Sequence, residues 1–249
     1  LSMDYNSEGK QLVMSAVNNG QTDIYLYNVI GGNKIQLTND IFDDLYPSFV
    51  DGDSKVIFSS NRLDDTIRRS TEIKSYDPQL DLYILNIEKP TKPLQRLTET
   101  PFVNETKAYQ YDGRNYTYLS DENGVNNRYI AYYDSVISYI DTAVHYRYFS
   151  VNDRLTNYPF GIIDYDVNSK NGNYSMLMKE KGQFKFYKSN TGSDLAIEEQ
   201  VEYTQFMKEK LKLNNVSIAS PILENDAGEI DSNKVNINDY QFLDDKRPV

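Results

Sequence analysis

Asp23-Ile24-Tyr25-Leu26 followed by Leu37-Thr38 returns later in the chain as Asp81-Leu82-Tyr83-Ile84 followed by Leu97-Thr98. The two copies stand 58 to 60 positions apart, and a third Leu-Thr begins at Leu155, 58 positions after the second. A repeat of this size is typical of modular folds, in which each unit buries its apolar surface against its neighbours. The sequence therefore predicts a stack of similar units.

Short strands joined by tight turns fill each unit. In the first unit, Gly9-Lys10 precedes the run 11–16, Asn19-Gly20 separates it from 23–28, and Gly31-Gly32 precedes 34–38. Asn-Gly favours the positive φ angles that two-residue hairpins require. Turn signals about ten residues apart predict antiparallel strands and do not fit βαβ crossovers.

Four such units are predicted, with boundaries near 1–40, 41–100, 101–158 and 159–195. The second unit carries a polar insertion at 63–79. The third carries an insertion at 134–142, before a return strand at 146–155. The fourth unit is degenerate, with strands at 162–167, 174–179 and 184–188.

The pattern changes in the last part of the chain, 196–249. Apolar residues fall near helical spacing between charged residues over 198–213, which predicts an amphipathic helix. Residues 214–249 are polar and rich in Asn and Asp, which is typical of a linker or extended arm. The chain does not begin with Met, so we expect a piece of a longer protein, with further domains beyond Val249.

Composition argues against several function classes. The formal net charge of -11 opposes binding to nucleic acid, because that requires clustered Lys and Arg. Cysteine is absent, which removes disulfides, thiolate metal sites and a Cys nucleophile. No apolar run approaches the roughly 18 residues of a membrane-spanning helix. We expect no cofactor.

Several segments resemble the TolB-type, WD-like β-propeller repeat. They are Gly9-Lys10-Gln11-Leu12-Val13-Met14-Ser15, Tyr46-Pro47-Ser48-Phe49 with Asp51-Gly52, Phe58-Ser59-Ser60-Asn61-Arg62, Asp81-Leu82-Tyr83 and Arg96-Leu97-Thr98. The resemblance covers roughly 1–190 and is strongest over 1–125. It implies an all-β fold of radially arranged, four-stranded antiparallel blades, followed here by the helix and the arm. Six to eight blades are usual for this repeat, so about four blades imply part of a larger propeller.

The resemblance also implies a place and a mode of action. TolB acts through protein contacts in the Gram-negative envelope, which implies a periplasmic or outer-membrane-associated protein. Related propellers also precede the catalytic domain of prolyl-oligopeptidase-like peptidases, so an accessory domain of such a peptidase is an alternative. A glycan-binding propeller is another, because the chain holds 22 tyrosines.

Candidate catalytic and metal-binding residues have structural interpretations. His145 is the single histidine, and no Gly-x-Ser-x-Gly segment accompanies it, so we expect an ordinary strand or loop residue. The oxygen-rich segment 225–233 does not have EF-hand spacing, and we expect a solvated linker without metal. Asp23 and Asp81 are expected to bond within their blades. Arg62 and Arg96 are expected to be structural, or to line a rim.

These observations predict a non-catalytic scaffold for protein–protein interaction. Connecting loops on a rigid framework commonly carry binding residues, which favours the insertions 63–79 and 134–145. Arg and Tyr are enriched at protein interfaces. The candidate partner-binding residues are therefore Arg68, Arg69, Tyr76 and Tyr139.

Overall fold

A computed structural model of the chain describes residues 2–63, 79–90, 93–197 and 201–213. These ranges hold four antiparallel sheets and one α-helix. The candidates Arg68, Arg69 and Tyr76, the arm 214–249 and almost all of the insertion 63–79 lie outside the described residues.

Each sheet is built from consecutive strands paired in chain order. The first contains β1 (Met3–Tyr5), β2 (Gln11–Asn18), β3 (Gln21–Asn28) and β4 (Lys34–Gln36); the second contains β5 (Asp44–Val50), β6 (Lys55–Ser60), β7 (Asp81–Asn86) and β8 (Gln95–Arg96). The third contains β9 (Glu105–Asp112), β10 (Asn115–Ser120), β11 (Asn127–Ile140) and β12 (Val144–Arg154); the fourth contains β13 (Ile162–Asn168), β14 (Asn173–Glu180) and β15 (Gln183–Asn190). The predicted all-β, four-unit organisation is confirmed.

The sheets pack face to face as blades, hereafter blades 1 to 4. The first strands lie side by side in series, with β5 against β1 and β9, and β13 against β9. Three buried apolar clusters fill the blade interfaces. They are centred on Val13, Phe58 and Tyr83 between blades 1 and 2, on Ile57, Leu82 and Tyr118 between blades 2 and 3, and on Leu119, Tyr165 and Met176 between blades 3 and 4.

The repeated Leu-Thr segment has the same role in three blades. Each threonine is buried, and its hydroxyl oxygen accepts a hydrogen bond from the backbone N–H of a residue near the start of the third strand. A buried N–H without a partner is costly, so this bond replaces the one that a longer fourth strand would supply. The bonds join Thr38 to Ile24 (2.9 Å), Thr98 to Leu82 (2.9 Å) and Thr156 to Arg128 (2.8 Å).

The repeated tyrosines also occupy equivalent places. Tyr25, Tyr83 and Tyr129 are buried on the third strands of blades 1, 2 and 3. The first two lie opposite a residue of the short fourth strand, Gln36 for Tyr25 and Arg96 for Tyr83. The sequence repeat therefore corresponds to a structural repeat.

The aspartates beside these tyrosines bond within their own blades, as predicted. Asp23 Oδ2 accepts a hydrogen bond from Gln36 Nε2 at 2.9 Å. Asp81 Oδ2 is 2.5 Å from Arg96 Nη2 in an ion pair. Both carboxylates thus connect the third strand of a blade to its fourth.

Arg62 is structural and does not line a rim. Its guanidinium is fully buried and lies 3.1 Å from Asp40 Oδ2 and 2.7 Å from Asp44 Oδ1. The rings of Phe58 and Tyr83 are within 6 Å of the guanidinium carbon, at 5.6 and 5.7 Å. A buried charge requires such partners, because its desolvation is otherwise uncompensated.

The helix α1 (Gln205–Leu213) begins later than the predicted 198–213. Thr204 is its N-terminal cap, because Thr204 Oγ1 accepts a hydrogen bond from the N–H of Met207 at 3.3 Å. The Thr204 N–H in turn donates to the carbonyl of Asn123 at 2.8 Å, which fixes the start of the helix against the β10–β11 turn. No helix in the described ranges is both long and apolar enough to cross a membrane.

We predict that Thr38→Val lowers the free energy of unfolding by about 1 to 3 kcal/mol, because the buried Ile24 N–H loses its acceptor while the side-chain shape is retained. Urea denaturation followed by circular dichroism measures this change. Thr142→Val, at an exposed position, is the matched control and should change stability by less than about 0.5 kcal/mol. Equal effects of the two substitutions would contradict the proposed role of the Thr38 hydroxyl.

Candidate functional site

The two longest strands form a projection from blade 3. The neighbouring strand β10 pairs with β11 only as far as Tyr132, opposite Asn115. Beyond Tyr132 and Tyr133, β11 pairs with β12 alone. Residues 134–149 therefore make a two-stranded antiparallel extension, which we call the ribbon.

The ribbon corrects one sequence-based prediction. The segment 134–142 was expected to be a loop insertion, yet Asp134 to Ile140 continue β11. Its Val, Ile and Tyr residues favour extended structure. The connection is short because Asp141 Oδ1 accepts a hydrogen bond from the N–H of Ala143 at 2.9 Å, a local turn bond typical of Asp.

The pairing register assigns the ribbon side chains to two faces. Residues directly opposite one another in an antiparallel pair lie on the same face, and faces alternate along each strand. Ser135 is opposite Tyr148, Ile137 is opposite Tyr146 and Ile140 is opposite Val144. A bulge at Ser138 keeps Ile140 on the face of Ile137, since two β11 residues there oppose one on β12.

We call this side the apolar face of the ribbon. Its members Ile137, Ile140, Val144, Tyr146 and Tyr148 are all exposed, from 44% for Val144 to 70% for Tyr148. The rings of Tyr146 and Tyr148 are neighbours, with centroids 6.5 Å apart. Five adjacent, solvent-exposed apolar side chains without a charge among them are characteristic of an interaction surface.

The opposite face is mixed in character. Asp134, Val136, Tyr139, His145 and Arg147 lie there with Phe149. Tyr139 stacks on His145, with ring centroids 4.1 Å apart and planes 12° apart. His145 Nε2 is 3.0 Å from Asp141 Oδ1, and hydrogen bonds from His145 and backbone groups lower the pKa of Asp141, the backbone bond from Ala143 most strongly.

His145 is a half-buried residue of β12. His145 contacts Tyr139 and Asp141, and neither is a serine or threonine nucleophile. Tyr139 is exposed and lies on the mixed face. Sequence reasoning selected Tyr139, whose partner-binding role stays a prediction, and did not select the five residues of the apolar face. The alternation of Val144, Tyr146 and Tyr148 with His145 and Arg147 was the available signal.

A second feature is the channel between the inner strands. Two cavities of about 380 and 300 Å³ lie there, and both are lined by Asp4, Ser48, Tyr109 and Asp166. Asp4 Oδ2 accepts hydrogen bonds from Ser48 Oγ at 2.8 Å and from the N–H of Phe49 at 3.0 Å. Burial raises the pKa of Asp4. This carboxylate therefore joins blade 1 to blade 2.

At one end of the channel, Lys107 connects three blades. Its Nζ donates to Asp164 Oδ1 and lies 5.7 Å from the ring centroid of Tyr46. Lys107 and Tyr46 both have positive φ angles, 52° each, beside bulges in β9 and β5. The single histidine of the chain lies on the ribbon and lines neither of the two cavities. Nor do the described residues include a group of three metal-ligating side chains.

Glu105 is the most strongly perturbed carboxylic acid in the blades. It is 1% exposed at the start of β9, and its Oε1 accepts a hydrogen bond from Thr100 Oγ1 at 2.9 Å. Burial, with smaller contributions from the nearby charges of Asp81 and Glu122, raises its pKa from 4.5 to about 8. Glu105 lines neither channel cavity, so its perturbed pKa reflects packing.

We predict that the protein loses stability as the pH rises from about 4.5 to about 8. In that window the folded state holds a proton on Glu105 that the unfolded state has released, so raising the pH favours unfolding. Glu105→Gln should reduce this slope and make the variant more stable than the unaltered chain at pH 8. Urea denaturation at pH 5, 6.5 and 8 measures it.

The matched control for that experiment is Glu8→Gln, because the Glu8 side chain is 61% exposed. It should retain the slope of the unaltered chain. A Glu105→Gln variant with the same slope as that control would contradict the assignment of a buried, protonated Glu105.

The blades, their inner strands and the channel define a class of fold, the β-propeller. Solved structures similar to this chain narrow the class. TolB from Acinetobacter baumannii matches with a TM-score of 0.52 and 14% identity, over 78% of this chain and 42% of that one. A protein described as putative TolB from Agrobacterium tumefaciens matches with a TM-score of 0.56 and 14% identity, over 78% of this chain and 62% of that one. The fold is thus a TolB-like β-propeller.

The remaining comparisons do not define the fold further. Dipeptidyl peptidase 4 from Porphyromonas gingivalis is similar at a TM-score of 0.40 and 13% identity, over 78% of this chain and 30% of that one. No protein-family model matches the sequence, and no curated protein matches it. The chain spans about two fifths and three fifths of the two TolB structures.

Proposed function

We propose that this chain is a non-catalytic scaffold for protein–protein interaction, and that the ribbon is its main contact with a partner. The observation that carries the proposal is the apolar face of the ribbon. Among the residues that the structure describes, these side chains have no second sheet against which to pack. Burying each of them against a partner would be favourable by about 1.5 to 3 kcal/mol.

The rest of the structure supports a passive framework. Polar groups of the inner channel are engaged in joining blades, as Asp4 and Lys107 illustrate. Blades that pack face to face through apolar clusters hold a projection in a fixed direction. Pre-organisation of this kind lowers the entropic cost of binding.

We further propose a location in the bacterial cell envelope, either periplasmic or associated with the outer membrane. The TolB-like fold supports this location, as does the sequence resemblance to TolB-type repeats. The formal net charge of -11 favours a protein partner over a nucleic acid.

The proposal predicts that Ile137→Ser combined with Ile140→Ser lowers partner capture at least about tenfold, because two apolar anchors are lost and 1.4 kcal/mol already corresponds to a factor of ten. The immobilised chain is incubated with solubilised envelope proteins from the encoding bacterium, and captured proteins are quantified by mass spectrometry. Val136→Ser combined with Phe149→Ser, on the mixed face of the ribbon, is the control.

Capture of the same proteins by both double variants would contradict the assignment to the apolar face. Turnover of a substrate by the purified chain would contradict the non-catalytic assignment. Circular dichroism of both variants verifies that the blades remain folded.

A further inference from the structure

In the part of the chain that the structure describes, the outer edge of β12 is open along the ribbon. β12 is the last strand of its sheet, so one side of it has no described neighbouring strand. Near blade 3 the chain itself covers this edge, because the N–H of Ile197 donates to the carbonyl of Arg154 at 2.8 Å. Among the described residues, no strand continues this cover along 144–149.

The Arg154 bond also reveals which ribbon residues present backbone groups at the edge. Along an antiparallel strand, the N–H and C=O groups of successive residues point to alternate sides. β12 pairs with β11 from Arg154 to Val144 without skipping a residue of β12. Every second residue before Arg154 therefore has its backbone N–H and C=O groups pointing outward. Within the ribbon these residues are Val144, Tyr146 and Tyr148.

These three residues also belong to the apolar face, and the edge that they form lacks the usual protection. Natural edge strands are blocked by Pro, Lys or bulges. The β11 side of the ribbon has the bulge at Ser138, but β12 is regular, with Arg147 as its only Lys, Arg or Pro over 144–149. A regular, apolar edge of this kind is a template for another strand.

We propose that a second copy of this chain occupies the edge, with the two β12 strands antiparallel about a twofold axis at Tyr146. An antiparallel edge is its own complement under a twofold rotation, so identical surfaces satisfy each other. In such a pair, residues whose backbone N–H and C=O groups point away from β11 must lie opposite residues of the same kind on the partner strand. This register pairs Tyr146 with Tyr146 of the partner subunit, and Val144 with Tyr148 of the partner subunit, in both directions, which gives about six backbone hydrogen bonds.

Side chains favour the same register. Aromatic–aromatic and aromatic–β-branched cross-strand pairs are stabilising, and both kinds occur here on the apolar face. An axis at Arg147 would instead place two arginines opposite each other, which is destabilising. With the axis at Tyr146, Arg147 lies opposite His145 of the partner subunit, a pair without like charges when the imidazole is neutral.

The result would be a four-stranded sheet spanning two subunits, with one continuous apolar face. Three or more strands are generally needed for an independently stable sheet, so pairing would stabilise both ribbons. An edge contact of about five residues per subunit lies at the small end of protein interfaces, which predicts a weak dimer with a Kd of about 10 to 100 µM.

The absence of cysteine from the chain permits a register-specific test. In a hydrogen-bonded antiparallel pair the Cα atoms are about 5.5 Å apart, which suits a disulfide. Tyr146→Cys should therefore form a disulfide-linked dimer under mild oxidation. Tyr148→Cys is the matched control, since its thiol would lie about 13 Å along the strand from its own copy.

A mixture of Val144→Cys and Tyr148→Cys chains should cross-link to each other more than either does to itself. Non-reducing electrophoresis and mass spectrometry measure the yields, and at least a tenfold excess for Tyr146→Cys over Tyr148→Cys is expected. Equal yields, or no cross-link for Tyr146→Cys, would overturn the proposed pairing.

Sedimentation velocity of the unmodified chain tests the same proposal without a thiol. It should show a monomer–dimer equilibrium that Tyr148→Lys shifts to monomer and Val136→Lys, on the other strand and face, leaves unchanged. A chain that remains monomeric at about 300 µM would contradict the proposed dimer. Because only purified chain is used, this result is independent of capture of an envelope partner, and failure of either proposal leaves the other standing.

Discussion

Burial of sheet faces against neighbouring sheets is the constraint from which the architecture follows. A small blade of three or four strands exposes two faces, and the apolar clusters around Phe58, Tyr118 and Tyr165 form only where two blades meet. Stacking in turn brings the inner strands together and creates the polar channel. The ends of the longest strands extend beyond the other strands of their sheet that the structure describes, and these ends form the ribbon.

Much of this fold could be predicted from the sequence, because its determinants are local and repeated. Turn residues such as Asn19-Gly20 mark hairpins, and the Leu-Thr segments mark the ends of blades 1 and 2. The start of the helix was harder to predict from the sequence. Residues 201–204 continue the apolar pattern, but the backbone of Thr204 is engaged with Asn123, which is distant in sequence.

The candidate site was harder to predict for a physical reason. Residues 134–149 contain both turn-forming and strand-forming residues, and the sequence alone does not show how far two strands remain paired after they leave a sheet. Burial of Arg62 was equally hard to predict from the sequence. A guanidinium beside a polar insertion such as 63–79 is usually solvated, and only the approach of Asp40 and Asp44 from earlier in the chain makes its burial tolerable. Arg68, Arg69, Tyr76 and Tyr139 remain predictions as partner contacts.

The length of the ribbon separates the residues that are selected for packing between blades from the residues that are selected for recognition of a partner. Seven extended residues carry its tip roughly 23 Å from the edge of the blade. At that distance, substitutions at the tip need not disturb the packing between blades, and changes within the blades need not alter the recognition surface. Lineages carrying this domain could therefore change binding specificity by rewriting a short hairpin, while inheriting the scaffold intact.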